Sequence, residues 1–456
     1  MKFDGKRVVV IGAARQGTAL SRYLAEHGAQ VVLTDARSPE VLETVVEQMS
    51  DLGIEWILGE HPLTILDGAD LVCPSGGVPL TIPLVVEAQR RGIPLSNDSQ
   101  LFLEECACPV IGITGSAGKT TTTTLVGRMA QAGAEAGLLK TAYIGGNIGV
   151  PLINQVDQIT AEDLVVLELS SFQLDLMASS PQVAAILNIS PNHLDRHGSM
   201  QAYIEAKLNI FKHQHTKDFA VLSPENQDAW HLADSVKSQL FAFGFDLLAD
   251  QFGAFVREQA VWMRTSAGES QVIPLEDIEL RGEHNQLNVL AACAIAAAAG
   301  LPPEVIRAGI VGFTGVEHRL EFVRELDGIV YYNDSKATSP GMAITSINAF
   351  SESLVVLAGG RDKALPWNDF AETVAQRADH LVLFGEVAEM IKSALKSGEK
   401  SFTLDICKNL EDAVTAAHQR AQAGDVVLLA PGGTSFDEFS DYEARGAKFK
   451  SLVASL

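Results

Sequence analysis

Short apolar runs alternate along this chain with longer segments in which hydrophobic residues recur at helical spacing. Ten runs have the length and composition of buried strands: RVVVIG, QVVLTD, ADLVCPSGG, PVIGITG, DLVVLELS, VAAILNIS, IVYYND, LVVLAGG, HLVLFG and DVVLLAPGG. Strands that alternate with helices are typical of parallel sheets joined by crossover helices. The pattern therefore predicts an α/β fold. Many runs end in Gly, Ser, Asp or Asn, so we expect ligands at the carboxyl ends of the strands.

Two seams divide this pattern into three domains. Residues 96–109 precede the strand PVIGITG, and residues 312–319 precede a fresh series of strands and helices. The 456 residues suit about three compact units. We predict domains at 1–98, 99–314 and 315–456: two Rossmann-like domains flank a central P-loop ATPase-like domain with a mainly parallel sheet.

Two segments depart from the alternation. Residues Phe241–Ile278 alternate in polarity and predict an antiparallel excursion. The most apolar stretch, Val289–Ala299, has about half the length that a bilayer requires, so it predicts a buried helix. Residues Met1–Ile11 lack the apolar core of a signal peptide. We expect no membrane insertion.

Composition and charge limit the classes of molecule that this chain can bind. The chain is 47% hydrophobic and 20% charged, as is ordinary for a folded protein. Its formal net charge of -23 repels nucleic acid and anionic lipid, so any anionic ligand must be bound locally. The five cysteines show no paired metal-ligand spacing. We expect a reduced cytosolic location, no nucleic-acid partner and a monomer.

A glycine loop, Gly115–Gly118, follows PVIGITG, and Lys119 and Thr120 then open a helix. Backbone N–H groups at a helix N-terminus can cradle phosphates, Lys119 would neutralise their oxygens and Thr120 would reach Mg²⁺. The spacing is irregular, because the strict motif needs glycine where Ile113 stands. The alternative is an ordinary strand-to-helix turn. The lysine and threonine favour a nucleotide site.

Two further residues could bind a metal. Glu168 ends the strand DLVVLEL and offers the hard oxygen that Mg²⁺ prefers, although it could equally be a surface carboxylate. His193 lies in the polar loop after VAAILNIS and could be a ligand or only a solvated or capping residue.

Lys207 lies on the apolar stripe of a helix that begins near Met200. Burial would disfavour the ammonium form, lower the pKa of the side chain and leave a nucleophilic amine. The alternative is that the side chain snorkels to solvent.

These residues resemble the Mur ligase family, which builds the stem peptide of peptidoglycan. The strings TGSAGKTT, GGNIG, ELSSFQLD, NHLDRHGS, GEHNQLN, EHRLEF and NDSKATSP carry the resemblance over nearly the whole chain. ELSSFQLD, NDSKATSP and TSFDEF look like the D-glutamate-adding branch, and the Asp-Asn-Pro-Arg string of the diaminopimelate-adding branch is absent. The resemblance implies an ATP-dependent ligase that acts on UDP-N-acetylmuramoyl-L-alanine and D-glutamate.

The resemblance also assigns roles around the central sheet. It implies two Mg²⁺ sites with Thr120, Glu168, His193 and a carbamylated Lys207 as metal-binding residues. Catalytic roles fall on Lys119, Asn147, His193 and Lys207. The expected ATP contacts are Gly115, Ser116, Ala117, Gly118, Lys119, Thr120, Thr121, Asn285, Arg319, Asp334 and Lys336. By the same resemblance, Asn285 and the pair His318 and Arg319 contact adenine or ribose or lie at a domain junction.

Substrate contacts are expected in the outer domains. The loop from Gly12 to Gly17 resembles a dinucleotide fingerprint, but Ala14 replaces its middle glycine. The family pattern instead implies that the UDP substrate contacts Arg15, Gln16, Asp35, Arg37, Ser75, Gly77 and Asn147. It implies that D-glutamate contacts Thr338, Lys363, Ser435 and Phe436, although Lys363 alone could be a solvated turn residue.

The chain departs from the family pattern at three positions: Ala117 replaces a frequent asparagine, Gly76 a proline and Asn192 a frequent aspartate. Such changes affect fine contacts. In the implied reaction the substrate carboxylate becomes an acyl phosphate, which the amine of D-glutamate attacks while domain closure excludes water. The open alternatives are another amide ligase, such as a folylpolyglutamate synthase or a Mur ligase adding alanine or a diamino acid, an NAD-dependent oxidoreductase, and a non-enzymatic nucleotide switch.

Overall fold

A computed structural model describes residues 2–395 and 402–456, which form two compact units. The first contains the chain up to Ile278 together with Leu287–Val311, and the second contains Glu279–Gln286 with Gly312–Leu456. Sheets of four and nine strands lie in the first unit and a six-stranded sheet in the second. All ten apolar runs form strands, which confirms the predicted α/β class.

The four-stranded sheet is entirely parallel and has the order β3-β2-β1-β4. Its strands are β1 (Arg7–Ile11), β2 (Gln30–Asp35), β3 (Glu55–Leu58) and β4 (Leu71–Pro74). Its helices are α1 (Arg15–Glu26), α2 (Pro39–Gln48), α3 (Pro83–Arg90) and α4 (Asp98–Glu105). Strands β2 and β4 lie on opposite sides of β1, so the strand order reverses at β1 and a crevice is expected where β1 and β4 end.

Helix α4 occupies the centre of the predicted linker 96–109. The Asn97 side chain accepts a hydrogen bond from the Gln100 N–H at 2.8 Å, which satisfies one of the donors left open at a helix start. This seam is therefore helical rather than irregular.

The nine-stranded sheet has the order β13-β12-β11-β10-β9-β8-β5-β7-β6. Its strands are β5 (Val110–Thr114), β6 (Ala142–Gly146), β7 (Leu164–Glu168), β8 (Val183–Ile186), β9 (Phe219–Leu222), β10 (Gln239–Phe243), β11 (Phe252–Arg257), β12 (Ala260–Thr265) and β13 (Gly268–Pro274). The helices that follow β5 are α5 (Lys119–Glu135), α6 (Ser171–Leu174), α7 (Leu194–His197), α8 (Met200–Lys212), α9 (Gln227–Trp230), α10 (Glu283–Ala298) and α11 (Pro303–Ile310).

The antiparallel excursion starts later than the sequence predicted. Strands β10 and β11 are still parallel, and only β11, β12 and β13 pair antiparallel. Gly253 explains the continuation: it has φ +140°, and a Cβ there would lie 1.7 Å from the carbonyl oxygen of Ala242. Glycine thus allows the close backbone approach that extends the parallel pairing by one strand.

The six-stranded sheet of the second unit has the order β14-β15-β19-β16-β17-β18, with only the β14–β15 pair antiparallel. Its strands are β14 (Glu321–Leu326), β15 (Ile329–Asn333), β16 (Leu354–Gly359), β17 (His380–Phe384), β18 (Thr403–Ile406) and β19 (Val426–Gly432). Its helices are α12 (Pro340–Ile347), α13 (Asn368–Arg377), α14 (Ala388–Ala394), α15 (Leu410–Arg420) and α16 (Tyr442–Ser455). Short 3₁₀ helices of the chain lie at Ser50–Leu52, Leu63–Leu66, Leu152–Gln158, His231–Ser235 and Leu275–Asp277.

The alanine-rich stretch is a buried helix, as predicted. The side chains from Val289 to Ala298 lie in α10 and are buried. Within the described part of the chain, no helix combines the length and the apolar character needed to cross a bilayer.

Candidate functional site

The glycine loop joins the end of β5 to the start of α5. Gly118 has φ +80°, and a Cβ there would lie 2.2 Å from Oδ1 of Asn288, so the turn requires glycine. The Lys119 amine folds back over the loop and donates to the carbonyl oxygen of Gly115 at 2.9 Å. Thr120 is partly buried and Thr121 is buried in the first turn of α5. This local geometry is that of an anion-binding helix N-terminus.

The residues that follow β8 hold the glycine loop in place. Asn188 accepts from the Ala117 N–H at 2.8 Å and donates to the Ala117 carbonyl oxygen at 3.1 Å. The Ser116 hydroxyl lies 2.9 Å from the Tyr203 hydroxyl and donates to the Ser190 carbonyl oxygen at 3.0 Å. No sequence motif marks Asn188, although it follows an apolar strand closely.

Glu168 is buried, with 1% of its surface exposed, so it is not a surface carboxylate. It ends β7 and pairs with Ile113 of β5. Its Oε1 accepts from the Asn147 side-chain amide at 2.8 Å, whereas its Oε2 is buried without a hydrogen-bond partner. An unsatisfied buried carboxylate oxygen is costly, and a hard cation would satisfy it. This residue therefore fits the role of a magnesium ligand.

Lys207 of α8 is 1% exposed, so its side chain does not snorkel to solvent. Its amine donates to the carbonyl oxygen of Gly115 at 2.9 Å and to the Thr114 hydroxyl at 3.3 Å, and it lies 4.8 Å from the centre of the Tyr203 ring. Burial, and then the charge of Lys119, lower the pKa of Lys207 to about 6. The predicted buried and largely neutral amine is present at the glycine loop.

His193 is exposed and has φ +53° at the start of α7. Its ring meets the Phe172 ring edge-on at 5.1 Å between ring centres. His197 stacks on the same Phe172 ring, also at 5.1 Å, and the Arg196 guanidinium lies 4.2 Å from the centre of that ring. Phe172 follows Glu168 closely in the chain, so this aromatic cluster joins the two segments that carry the predicted metal ligands.

A preformed metal cluster is not visible among residues 2–395 and 402–456, where no group of three or more His, Cys, Asp or Glu could hold an ion. Mg²⁺ commonly keeps several waters and binds only one or two protein carboxylates together with phosphates. The metal roles of Thr120, His193 and Lys207 stay predictions.

In the four-stranded sheet, the residues predicted for the UDP substrate gather where β1, β2 and β4 end. The Ser75 hydroxyl donates to the Gly12 carbonyl oxygen at 3.2 Å, and a Cβ at Gly17 would lie 1.8 Å from that same oxygen. A Cβ at Gly76 would lie 3.4 Å from Oε1 of Gln16. The two loops are therefore in contact across the crevice between β1 and β4.

This crevice also contacts the central sheet. The Arg15 guanidinium donates to the Asn147 carbonyl oxygen at 3.4 Å, and the Arg196 guanidinium donates to that of Gly77 at 3.2 Å. Because the Asn147 side chain donates to Glu168, one residue connects the crevice between β1 and β4 to the candidate metal ligand.

Asp35 is fully engaged by protein donors. Its carboxylate accepts from the Ala13 N–H at 2.7 Å and from the backbone N–H, Nε and Nη2 of Arg37 at 2.7–2.9 Å. The Arg37 guanidinium holds the pKa of Asp35 at about 2. These donors fix the Asp35 side chain at the end of β2.

In the second unit, two of the residues predicted for D-glutamate meet. The Lys363 amine donates to the Thr338 hydroxyl at 3.4 Å, and burial, then the charge of Arg445, lower the pKa of Lys363. Ser435 is buried, whereas the Phe436 side chain is 60% exposed.

Asp334 and Lys336 follow β15. Burial raises the pKa of Asp334, whose carboxylate accepts from the Ser346 hydroxyl and from the Leu320 N–H at 3.3 Å. The Lys336 amine lies 5.1 Å from the centre of the Tyr442 ring.

A cavity of about 240 Å³ in the second unit brings Asn285 and Arg319 together, with Arg281, Phe322 and Tyr332 among its walls. The Nε of Arg319 is buried without a hydrogen-bond partner. The Arg281 guanidinium lies 5.2 Å from the centre of the Tyr332 ring. Planar groups and an open donor of this kind suit a flat polar ligand.

No sequence motif marks Arg445, which the structure places in the second unit. It is completely buried in α16 and donates to the Ser335 hydroxyl, the Ser335 carbonyl oxygen and the Gly433 carbonyl oxygen at 2.8–3.1 Å. Burial lowers its pKa to about 10. Its position in a mixed polar helix gives no local sign that the guanidinium is buried.

Three α/β sheets and a glycine loop with a lysine at the helix start define a multidomain protein of the nucleotide-binding α/β class. Family models match the chain for the MurD-like N-terminal domain of Mur ligases over residues 6–97, the Mur ligase middle domain over 113–296 and the Mur ligase glutamate ligase domain over 318–433. The chain belongs to the Mur ligase family, which confirms the resemblance.

Similar proteins span the full length. A UDP-N-acetylmuramoylalanine–D-glutamate ligase of Symbiobacterium thermophilum is 42% identical over 99% of this chain and 98% of that protein. A ligase of the same name from Koribacter versatilis is 39% identical over 100% and 99% of the two chains.

Solved structures share the fold. The UDP-N-acetylmuramate-alanine ligase of Thermotoga maritima superposes with a TM-score of 0.60 at 20% identity, covering 99% of each chain. A pseudomurein peptide ligase type C of Methanothermus fervidus gives 0.58 at 19% identity, covering 99% of this chain and 100% of that one. These likenesses establish the three-sheet α/β architecture.

Proposed function

We propose that this protein is an ATP-dependent ligase that adds D-glutamate to UDP-N-acetylmuramoyl-L-alanine during peptidoglycan precursor synthesis. The observation that carries the reaction class is the buried Lys207 amine on the same Gly115 carbonyl oxygen that Lys119 contacts, beside the strand that ends in Glu168. The choice of D-glutamate rests on the full-length similarity to ligases of that name.

The chemical problem is that a carboxylate is a poor electrophile. Its attack on the γ-phosphate of ATP would give an acyl phosphate with a good leaving group, and the amine of D-glutamate would then displace phosphate. Lys119, at the N-terminus of α5, would stabilise the charge that develops on the transferred phosphoryl group. Mg²⁺, when bound, would supply further neutralisation of that charge.

The cation would be held by this chain's own oxygens. Glu168 supplies a buried carboxylate oxygen without a donor, and Thr120 supplies a hydroxyl at the helix start. Two Mg²⁺ sites are proposed, with His193 as a further ligand. A carbamylated Lys207 would turn the buried amine into a second carboxylate, and carbamylation requires the neutral amine that a pKa of about 6 provides at neutral pH.

Substrate binding is assigned as the sequence analysis predicted. The UDP substrate would contact Arg15, Gln16, Asp35, Arg37, Ser75, Gly77 and Asn147. D-Glutamate would contact Thr338, Lys363, Ser435 and Phe436, with the lysine meeting a carboxylate. Asn285 and Arg319 would contact adenine or ribose, Asp334 the ribose and Lys336 the phosphates. The proposed domains are 1–98, 99–314 and 315–456, in a cytosolic monomer.

Phosphate release provides the test. The full chain is assayed with ATP, Mg²⁺, UDP-N-acetylmuramoyl-L-alanine and D-glutamate, and each component is omitted in turn. Release should require all four, and L-glutamate, L-alanine or a diamino acid should not replace D-glutamate. Release that is independent of any amino acid would instead indicate a nucleotide switch, and turnover with another amino acid would indicate a different amide ligase.

A further inference from the structure

Two of the five cysteines lie side by side at the junction between the first two sheets. Cys106 directly follows α4, and only Pro109 separates Cys108 from β5. Their sulfur atoms are 3.7 Å apart. Only Ala107 separates the two cysteines in the chain, so the contact is local. Local geometry therefore holds the pair together.

The other three cysteines are arranged differently. Cys73 and Cys293 are completely buried, and burial raises the pKa of each thiol. Cys407 is partly exposed and lies in the second unit, where burial and the neighbouring Asp405 and Asp412 raise its pKa. Cys106 is partly exposed and has a second sulfur in contact with it.

We propose that Cys106 and Cys108 form a two-thiol oxidation site that peroxide converts into an intramolecular disulfide. The inference is independent of the ligase reaction. The sulfurs need to approach only from 3.7 Å to about 2.05 Å, the length of a disulfide bond. Cys106 is the more exposed of the two thiols, and its contact with Cys108 lowers the pKa of Cys106, so we assign Cys106 as the nucleophile.

The reaction balances in two steps. The Cys106 thiolate attacks one oxygen of hydrogen peroxide, the O–O bond breaks, and a sulfenic acid and hydroxide form; the hydroxide takes up the proton that Cys106 released and becomes water. The Cys108 sulfur then attacks the Cys106 sulfur, the S–O bond breaks, and the departing hydroxide leaves as water with the Cys108 proton. Two thiols lose two electrons and one peroxide gains them.

One peptide reports the chemistry. No lysine or arginine stands between Arg91 and Lys119, so trypsin releases Cys106 and Cys108 together and without any other cysteine. The reduced full chain is treated with hydrogen peroxide, and the free thiols that remain are counted by the number of alkyl groups they take up. The chain is then digested with trypsin, and the peptide masses are measured. We expect the number of free thiols per chain to fall from five to three. The peptide that contains Cys106 and Cys108 should lose two hydrogen atoms and regain them when dithiothreitol is added.

Three variants make the test specific. Cys108→Ser should stop at a Cys106 sulfenic acid that dimedone traps, and Cys106→Ser should leave Cys108 largely unreacted. The matched control Cys407→Ser should still lose two thiols at the normal rate. The proposal is overturned if Cys73, Cys293 or Cys407 reacts first, if the disulfide joins two chains, or if Cys106→Ser is oxidised at position 108 as fast as the unaltered chain.

Discussion

The amine of Lys207 donates a hydrogen bond to the carbonyl oxygen of Gly115 at 2.9 Å, and so places a buried basic group on the first residue of the glycine loop. The Lys119 amine contacts the same oxygen, also at 2.9 Å. Two lysines thus converge on one acceptor, and the more buried of them has its pKa lowered by burial and by the charge of the other. This relationship couples the charge of Lys207 to the electrostatics of the glycine loop.

Replacing Lys207 tests whether the amine takes part in the reaction. Lys207→Ala should lower turnover by about two orders of magnitude or more, because one of the proposed metal-binding carboxylates cannot form. The fold should remain intact by circular dichroism, and a short carboxylic acid should restore part of the activity. Lys212→Ala at the exposed end of α8 is the matched control and should keep full turnover. Unchanged activity in Lys207→Ala would remove the carbamate from the mechanism.

The pH dependence of stability gives an independent measure of the Lys207 amine. Its folded pKa is about 6 against an ordinary value of 10.5. Between these values the unfolded chain holds a proton that the folded chain lacks, so the free energy of unfolding rises with pH through this window. Below pH 6 the amine is charged in both states and its contribution is constant.

Lys207→Met removes this contribution. In urea unfolding without carbon dioxide, the unaltered chain should therefore gain stability relative to the variant as pH rises from 6. A stability difference that stays constant across this range would show that the amine titrates normally in the folded protein.

Glu168→Gln tests the candidate magnesium ligand with a side chain of the same shape. The substitution removes the negative charge and should lower turnover on the order of 100-fold, with a higher Mg²⁺ requirement. Stability should be unchanged or higher, because the buried Oε2 has no hydrogen-bond partner in the folded chain. Mg²⁺ titration of turnover is the measurement, with Glu162→Gln on the surface as control. An unaltered Mg²⁺ response would exclude Glu168 as a ligand.

Most of the fold could be predicted because interior parallel strands are continuous apolar runs. Five strands were not revealed by the sequence. Four of them, β3, β6, β14 and β18, lie at sheet edges, where side chains are half exposed and the apolar run is broken. The fifth, β9, lies inside the nine-stranded sheet and has only four residues. The pairing of β10 with β11 depends on Gly253, a tertiary contact that polarity patterns do not encode.

The candidate site could be predicted where its signal is local. The burial of Lys207 was visible in the spacing of one helix, and the glycine loop in one short string. Other features arise only when distant segments meet. Asn188 contacts Ala117 across 71 residues of the chain, and the buried Arg445 contacts Ser335 across 110 residues. Sequence reasoning had no local pattern by which to find either.

Arg37→Ala tests whether the Asp35–Arg37 pair contributes to the proposed binding of the UDP substrate. The Michaelis constant for the UDP substrate should rise about 10-fold while turnover at saturation stays constant, because binding rather than chemistry is affected.

In the Arg37→Ala variant the pKa of Asp35, which is lowered from 3.8 to about 2 in the unaltered chain, should return toward its ordinary value. The stability from this pair is present above pH 3.8 and lost as pH falls toward 2, so the variant should differ least from the unaltered chain in acid. The control Arg90→Ala, on the exposed face of α3, should change neither the Michaelis constant for the UDP substrate nor the pH dependence of stability. A fall in turnover without a change in the Michaelis constant would contradict a role of Arg37 in substrate binding.

Arg445 provides a prediction for the second unit. Arg445→Met would leave the Ser335 hydroxyl, the Ser335 carbonyl oxygen and the Gly433 carbonyl oxygen without their buried donor, and should cost about 3 kcal/mol of unfolding free energy.

The Arg445 charge also adds to the effect of burial in lowering the pKa of Lys363. Removal of this charge should therefore raise the pKa of Lys363 and shift the pH profile of D-glutamate binding to higher pH. Arg445→Lys keeps the positive charge but not the guanidinium hydrogen bonds. It should therefore restore the pH profile of D-glutamate binding more fully than the free energy of unfolding. Thermal unfolding and the Michaelis constant for D-glutamate across pH are the measurements, and Arg420→Met, which loses only an exposed pair with Asp405, is the control. A D-glutamate profile that stays unchanged while stability falls would make Arg445 purely structural.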